Sequence, residues 1–582
     1  MRWVGMVWSC NPRRLAMVLV LLTLLLGGSP RSASAQSEVE PMLPTGPTAL
    51  TLHVPPVQSV NEEEELRVTV RVEGGQGPAR VFVDGLPPGA HWDEPARMLT
   101  FRPDFIQGGW HQDVTFTATD GRSTTQAKMT LTVTDTVRPP EPRIVHQEEQ
   151  AGVLRLTLEQ PTDTWLDSPG YAGRTFPAVV TVPLAASAAY PMPVTVRLHG
   201  VGNWPPSPQL SPNRFIIEPS DPDLTYWWGY SERLPRGPAL EGAVPPYTAR
   251  RVLALMEWVL RRYAGADAER VFLEGDSMGG AGALALGLLN ARHFAGVSAR
   301  HAQPVARAHR PWRLAQLSSL WGMPEEEVPD ADGLGVWSRL DLTRALRDEP
   351  EARSQFLLLQ HGKDDPIIHF GSVVRPSSLT GASFYEMLQA RHVGHVAVWD
   401  EGGHVEPDPW LGPRWWDNGW SPLTDADTFL RRNLAFPAFS HSSWDGNPGS
   451  GGNWSQPWRN DSGYAGDPKV PGDTGWDGDV AGMLNRALRW DSKRLVDTHA
   501  RFELPLRAAV GPGVSDKPVV DVTPRRAQRF RCLPGERIHW SFGGASGTVT
   551  AGPDGSVTVP RLRLGASWTP LVLERAREHD RS

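Results

Sequence analysis

Cysteine is nearly absent: Cys10 and Cys532 are the only two in 582 residues. That excludes a disulfide-stapled scaffold and any cysteine-rich zinc or iron–sulfur site. Lysine is scarce too, at five of the 58 basic residues: Lys128, Lys363, Lys469, Lys493 and Lys517. The arginines are scattered among 65 acidic residues. No basic run is long enough to grip nucleic acid, so nucleic acid is not an expected partner. Long apolar runs are missing as well. The longest, 15–28, falls short of the ~20 residues that cross a bilayer. Arg13 and Arg14 precede it and Ala33-Ser34-Ala35 follows, the layout of a secretory signal peptide cleaved after Ala35. The protein is therefore expected outside the cytoplasm, secreted or periplasmic. Cleavage leaves Cys532 alone, without an internal disulfide.

What the chain has in excess is glycine and proline, 57 and 55 residues, beside a hydrophobic content of 40%. This fits a loop-rich globular protein with much β-structure and enough apolar surface for a core. After a linker over 36–50, residues 51–136 alternate apolar and polar positions. Leu66, Val68, Val70 and Val72 form one such series; Val114, Phe116 and Ala118 a second; Met129, Leu131 and Val133 a third. Period two with one apolar face predicts half-buried strands, and the short strands suit a β-sandwich. The segments Gly85-Leu86-Pro87-Pro88-Gly89-Ala90, Leu99-Thr100-Phe101-Arg102-Pro103 and Phe116-Thr117-Ala118-Thr119-Asp120-Gly121 resemble the Ig-like (cadherin-like) modules of bacterial surface proteins. The resemblance implies a spacer or adhesion domain that contacts a cell surface or polysaccharide. Asp120 and Asp135 read as turn residues at strand ends rather than as calcium ligands.

Residues 137–149 are Pro-rich and charged, as in a linker. From 150 to 440 strand-like runs alternate with helical ones. Val179-Val180-Thr181-Val182, Val194-Thr195-Val196-Arg197-Leu198, Arg270-Val271-Phe272-Leu273-Glu274, Gln355-Phe356-Leu357-Leu358-Leu359 and Val396-Ala397-Val398-Trp399 read as strands. Val252, Leu255, Met256, Val259 and Tyr263 share one face of a helix over 248–263, and 278–292 is a second helix. This alternation predicts a mostly parallel, doubly wound α/β sheet. Residues 441–480 are rich in Gly, Asp, Ser and Trp and read as a loop region. Asp473, Asp477 and Asp479 lie close together there, but their spacing fits no standard calcium loop. Alternation returns over 481–582, predicting a C-terminal β-rich domain. The expected whole is multidomain, with the α/β unit flanked by β-domains on both sides.

The strongest local signal is Gly275-Asp276-Ser277-Met278-Gly279-Gly280, placed between a strand and a helix. A G-x-S-x-G turn there is sharp, holds the serine hydroxyl out at the strand end, and aims a helix N-terminus at any developing oxyanion. A serine hydroxyl needs a base, and the base an orienting acid. Candidates follow two later strands: His361-Gly362-Lys363-Asp364-Asp365-Pro366, then Asp400-Glu401-Gly402-Gly403-His404. The chain order Ser, Asp, His is the one this kind of sheet uses.

On these motifs the region 150–436 resembles the α/β-hydrolase superfamily, most closely secreted bacterial esterases and prolyl-oligopeptidase-like serine hydrolases. The resemblance implies Ser277 as nucleophile, Asp365 as acid and His404 as base. It implies the backbone N–H groups of Val201, after His199-Gly200, and of Met278 as oxyanion donors. Asp364 competes with Asp365; the offset from Gly362 favours Asp365. His199 and His361 read as loop-shaping, His392 and His395 as lying at the far end of their strand, and His369 as the second choice of base. Trp227, Trp228, Trp415 and Trp416 are candidates for an aromatic wall at the site mouth, the alternative being packing under long loops. The implied activity is hydrolysis of a carboxylic ester, on a small molecule or a polymer, with no cofactor and no metal. A peptidase, and an adhesion protein carrying an inactive hydrolase unit, are the alternatives.

Overall fold

The computed structural model describes residues 49–204, 210–363, 365–400, 403–404, 430–449, 482–509 and 517–575. The expected signal segment 1–35, Trp415, Trp416 and the Asp473, Asp477 and Asp479 group lie outside the described residues.

Near the N-terminus, strands Val57–Asn61, Thr124–Thr134, His111–Thr119 and Arg80–Asp84 form one sheet in that order. Leu66–Thr69, Met98–Phe101 and Ala90–Asp93 form another. The inward positions of the two sheets, among them Val68, Val83, Leu99, Val114, Phe116, Met129, Leu131 and Val133, pack into one core. The two-residue periodicity read from the sequence therefore marks the buried face. Asp120 is a turn residue: its carboxylate accepts from the N–H groups of Gln76, Arg122 and Ser123. These three bonds hold its carboxyl down at about 2. The module also docks on the rest of the chain, because Phe105 and Ile106 join the core of the central sheet.

That sheet has ten strands. They are β1 (Arg143–Gln150), β2 (Val153–Pro161), β3 (Thr175–Pro183), β4 (Met192–Leu198), β5 (Phe215–Glu218), β6 (Ala266–Asp276), β7 (Gly296–Arg300), β8 (Phe356–Gly362), β9 (Gly394–Asp400) and β10 (Gly482–Leu484). Their order is β1-β2-β3-β5-β4-β6-β7-β8-β9-β10. All pairs from β5-β4 through β8-β9 are parallel, and antiparallel pairs close both ends. Two helices fix the site: α1 (Tyr247–Arg262) and α2 (Met278–Leu289). The four helix-face residues from Val252 to Val259 are buried as the spacing required.

Three sequence expectations change. Arg143–Glu149, read as part of a linker over 137–149, instead belongs to strand β1, which is paired along its length with β2. Every one of its residues is exposed, so no side-chain alternation could betray it; only its backbone ladder makes it a strand. The sheet is also not wound with helices on both faces among the described residues. Val194, Val196, Val271, Leu273, Leu357, Leu359 and Trp399 point to one face and share a core with α1 and α2. Phe272, Phe356, Leu358, Val396 and Val398 point to the other and pack against Phe439, Leu504, Val522 and Leu573. Among the described residues that second core contains no helical residue, and β-strands are what packs against this face where helices were expected. Finally, the boundary placed at 440 and 481 is crossed in both directions. Phe436–Ser440 pairs with Val519–Arg525 of the C-terminal sheets, while β10 joins the central sheet.

Candidate active site

Ser277 stands between the end of β6 and the first residue of α2, with φ 61° and ψ −122°. This left-handed backbone is costly for a residue with a Cβ and is held by its surroundings. Ser277 N–H donates to the Arg300 carbonyl at the end of β7, and Ser277 C=O accepts from Ala281. The flanking glycines are there for space. A Cβ on Gly275 would meet the Gly279 carbonyl oxygen at 2.1 Å, and one on Gly279 would meet the Leu198 carbonyl oxygen at 2.0 Å. Both obstacles are backbone and cannot swing aside. Gly279→Ala is therefore expected to destabilise the fold by about 1–3 kcal/mol or more and to cut activity with it. A urea midpoint and turnover both at the wild-type value would contradict this packing.

Ser277 Oγ donates to His404 Nε2 at 2.8 Å, and His404 Nδ1–H donates to Asp365 Oδ2 at 2.7 Å. Asp365 is buried, and its other oxygen accepts from the N–H groups of Ile367 and Ile368 at 2.8 and 2.9 Å. The carboxylate is thus held from one side by backbone and presents one oxygen to the imidazole. Asp364, the competing acid, lies outside the described residues. His361, also buried beside Asp365, donates from Nε2 to the Ile368 carbonyl at 2.7 Å. Burial pushes its ring down to about 4, so near neutrality it is an uncharged brace for the acid loop. His369, the second choice of base, is buried, and burial lowers it well below the usual imidazole range; the base bonded to Ser277 is His404. His392 bonds Ser440, and His395 bonds the Val393 carbonyl.

The loop after β4 lies against the nucleophile. A Cβ on Gly200 would sit 3.3 Å from the Asp276 carbonyl oxygen and 3.5 Å from Ser277 Cβ. Val201 follows it, 42% exposed. Met278 opens α2, so its N–H has no intrahelical acceptor. His199 shapes this loop as expected: Nδ1–H donates to the Gly200 carbonyl and Nε2 accepts from Asp221 N–H.

Trp227 and Trp228 do not form a wall at the mouth. Trp227 is 0% exposed and Trp228 6%. The Trp227 ring fills the space over Gly282 of α2, stands edge-on to His199, and donates from Nε1 to the His199 carbonyl at 3.3 Å. It packs under the loop that carries Val201, where a large ring with one polar atom is at home.

One residue escaped the sequence reading. His301 follows β7, buried, with φ 46°. Its Nδ1–H donates to Asp276 Oδ1 at 2.8 Å, and its ring centre lies 5.4 Å from that of His404. Burial alone would raise the Asp276 carboxyl, but the His301 hydrogen bond and charge, with Arg300 and His404, hold it below its ordinary value. The available signal was position: His301 lies just past a strand end, where such sheets gather their sites.

The site thus combines a parallel sheet, a strained serine at the turn after β6, an acid past the end of β8 and a base past the end of β9. The fold is of the α/β-hydrolase type. No protein-family model matches the sequence, and no curated protein matches it. Among solved structures, the chain is similar to an S-formylglutathione hydrolase from Agrobacterium tumefaciens, at 19% identity and a TM-score of 0.32, over 45% of this chain and 92% of that one. It is similar to a glucuronoyl esterase from Solibacter usitatus at 17% identity and a TM-score of 0.26, over 44% and 73%. An acylaminoacyl peptidase from Pyrococcus horikoshii is similar at 15% identity and a TM-score of 0.27, over 50% of each chain. The fold type of this chain follows from its own strand order and strand-to-helix turn.

Proposed function

We propose that this protein is an exported serine hydrolase that cleaves carboxylic esters through an acyl-enzyme intermediate. The observation that carries this reading is the unbroken hydrogen-bond chain from Ser277 through His404 to Asp365 at the strained turn. In the first half-reaction His404 Nε2 takes the Ser277 proton as Oγ attacks the substrate carbonyl. The C–O bond to the alcohol breaks, and His404 gives that proton to the departing alcohol. In the second half-reaction His404 takes a proton from water as it attacks the acyl carbonyl; the bond to Ser277 Oγ then breaks, His404 returns the proton to Oγ, and the carboxylic acid leaves. Asp365 holds the imidazole with Nδ1–H inward and stabilises its positive charge. The N–H groups of Met278 and Val201 stabilise the oxyanion, one such donor being worth roughly 10²–10³ in rate.

A fluorophosphonate probe is expected to label the wild-type chain at Ser277 and to leave Ser277→Ala unlabelled. Labelling elsewhere, or none, would point to a binding protein with an inactive hydrolase unit. A panel of matched esters and peptides separates esterase from peptidase, with faster turnover of the esters expected. Export is tested by N-terminal sequencing of the protein recovered outside the cytoplasm. The mature chain is expected to begin at Gln36, and an intact leader on all recovered protein would refute cleavage.

A further inference from the structure

On the sheet face away from α1 and α2, beside the nucleophile, lies a cavity of about 400 Å³. Arg197, Trp204, Glu218, Glu274, Asp276 and Arg300 line it. The strand register places the charges. Arg197 of β4 stands opposite Glu274 of β6, and Asp276 of β6 opposite Arg300 of β7. Glu218 ends β5, on the other side of β4. Positive and negative groups thus alternate across neighbouring strands, spaced by the ~4.8 Å between strands.

Glu218 is the unusual member. It is 2% exposed, and its Oε1 has no hydrogen-bond partner. The Arg197 guanidinium lies 3.7 Å from that oxygen, beyond hydrogen-bond length. Burial pushes the Glu218 carboxyl up to about 7. A carboxylate oxygen buried without a hydrogen bond is costly, and Glu218 belongs to the cavity lining, so a ligand hydroxyl that reached its carboxylate would relieve that cost.

The other groups narrow the ligand. Three carboxylates disfavour an anion, and two guanidiniums disfavour a cation. An alkyl chain would strip water from all five and return nothing. A hydroxyl donates to a carboxylate and accepts from a guanidinium, so several hydroxyls on one rigid frame match the alternating charges. Trp204, half-buried, adds an aromatic face suited to the C–H side of such a frame. The cavity shares Gly275 and Asp276 with the nucleophile turn, and Gly200 with the loop packed against Ser277, so a group held here lies next to a carbonyl that meets Ser277. We propose that this cavity is a subsite for a neutral polyhydroxylated group, such as a sugar ring, of the ester substrate. The proposal rests on the hydrolase reading above.

The test compares kcat/KM for acetylated methyl glycosides of neutral sugars with that for p-nitrophenyl acetate and for acetates of simple alkyl alcohols. It adds calorimetric binding of the free methyl glycosides to Ser277→Ala. Wild-type enzyme is expected to prefer a glycoside acetate over alkyl acetates by tenfold or more, and Ser277→Ala to bind the matching free glycoside. Above pH 7, where Glu218 is ionised, Glu218→Gln is expected to lower the glycoside-to-p-nitrophenyl ratio about tenfold or more, the worth of a hydrogen bond to a charged group. Glu274→Gln, at a less buried position, is expected to lower it in the same direction if Glu218→Gln does not fold. Hydrolysis of p-nitrophenyl acetate with no glycoside preference and no glycoside binding would overturn the subsite while leaving the hydrolase reading standing. Tighter binding of a methyl uronate than of the neutral glycosides would also overturn it. No hydrolysis of any ester would instead remove the hydrolase reading.

Discussion

Ser277→Ala is expected to lower turnover of an activated ester by roughly 10⁵–10⁶-fold. The argument is geometric. Among the described residues only the Ser277 hydroxyl is bonded to His404 Nε2, at 2.8 Å, and it sits at the N-terminus of a helix. Without Oγ, the oxyanion donors and bound substrate still favour attack by water, leaving a residual ~10³–10⁴ over the uncatalysed rate. The fold should persist, since alanine retains the Cβ and the backbone bonds to Arg300 and Ala281 remain. The decisive measurement is steady-state hydrolysis beside a thermal melt. A folded variant that keeps a tenth of the wild-type rate would move the nucleophile elsewhere.

The second large effect is expected at Asp365. Asp365→Asn should cost about 10⁴ in kcat, as removal of the corresponding charge does in other triads, with little change in melting temperature. One oxygen of Asp365 is committed to the N–H groups of Ile367 and Ile368. The asparagine oxygen will take that place, which turns its NH₂ group toward His404 Nδ1. Nδ1 must then accept, the ring proton moves to Nε2, and Nε2 can no longer take the serine proton. Asp364→Asn serves as the control for the neighbouring carboxylate and should stay within a few-fold of wild type. Asp276→Asn tests the other acid near the imidazole. Should Asp276→Asn cost more than Asp365→Asn, the orienting role would pass to the Asp276–His301 pair.

Much of this was legible in the sequence because it is written locally. The elbow is six consecutive residues, and its glycines are dictated by backbone atoms within one turn or on the next strand. The alternating apolar positions of the N-terminal module and the face of α1 are likewise local patterns imposed by a two-residue and a 3.6-residue repeat. His404 and Asp365 were reachable through strand ends, since parallel strands present their C-terminal edges together.

Other features depend on partners distant in sequence. Strand β1 buries no side chain and exists through its ladder with β2. Trp227 is an aromatic in a long loop, and its place beneath His199 follows from Gly282, 55 positions later, leaving room for the ring. His301 reaches His404 because β7 and β9 end at the same edge, across β8. The orphaned oxygen of Glu218 exists because β5 is laid beside β4 within a sheet.

The sequence by itself therefore determined the reactive turn, the residue types of the site and the periodicity of the strands, because short-range sterics and burial patterns constrain them. The tertiary structure decided which face of the sheet the C-terminal strands cover. It also decided which tryptophans are buried and which charged side chains share a cavity beside Ser277. Those outcomes follow from strand order and register, which bring together residues that no local pattern connects.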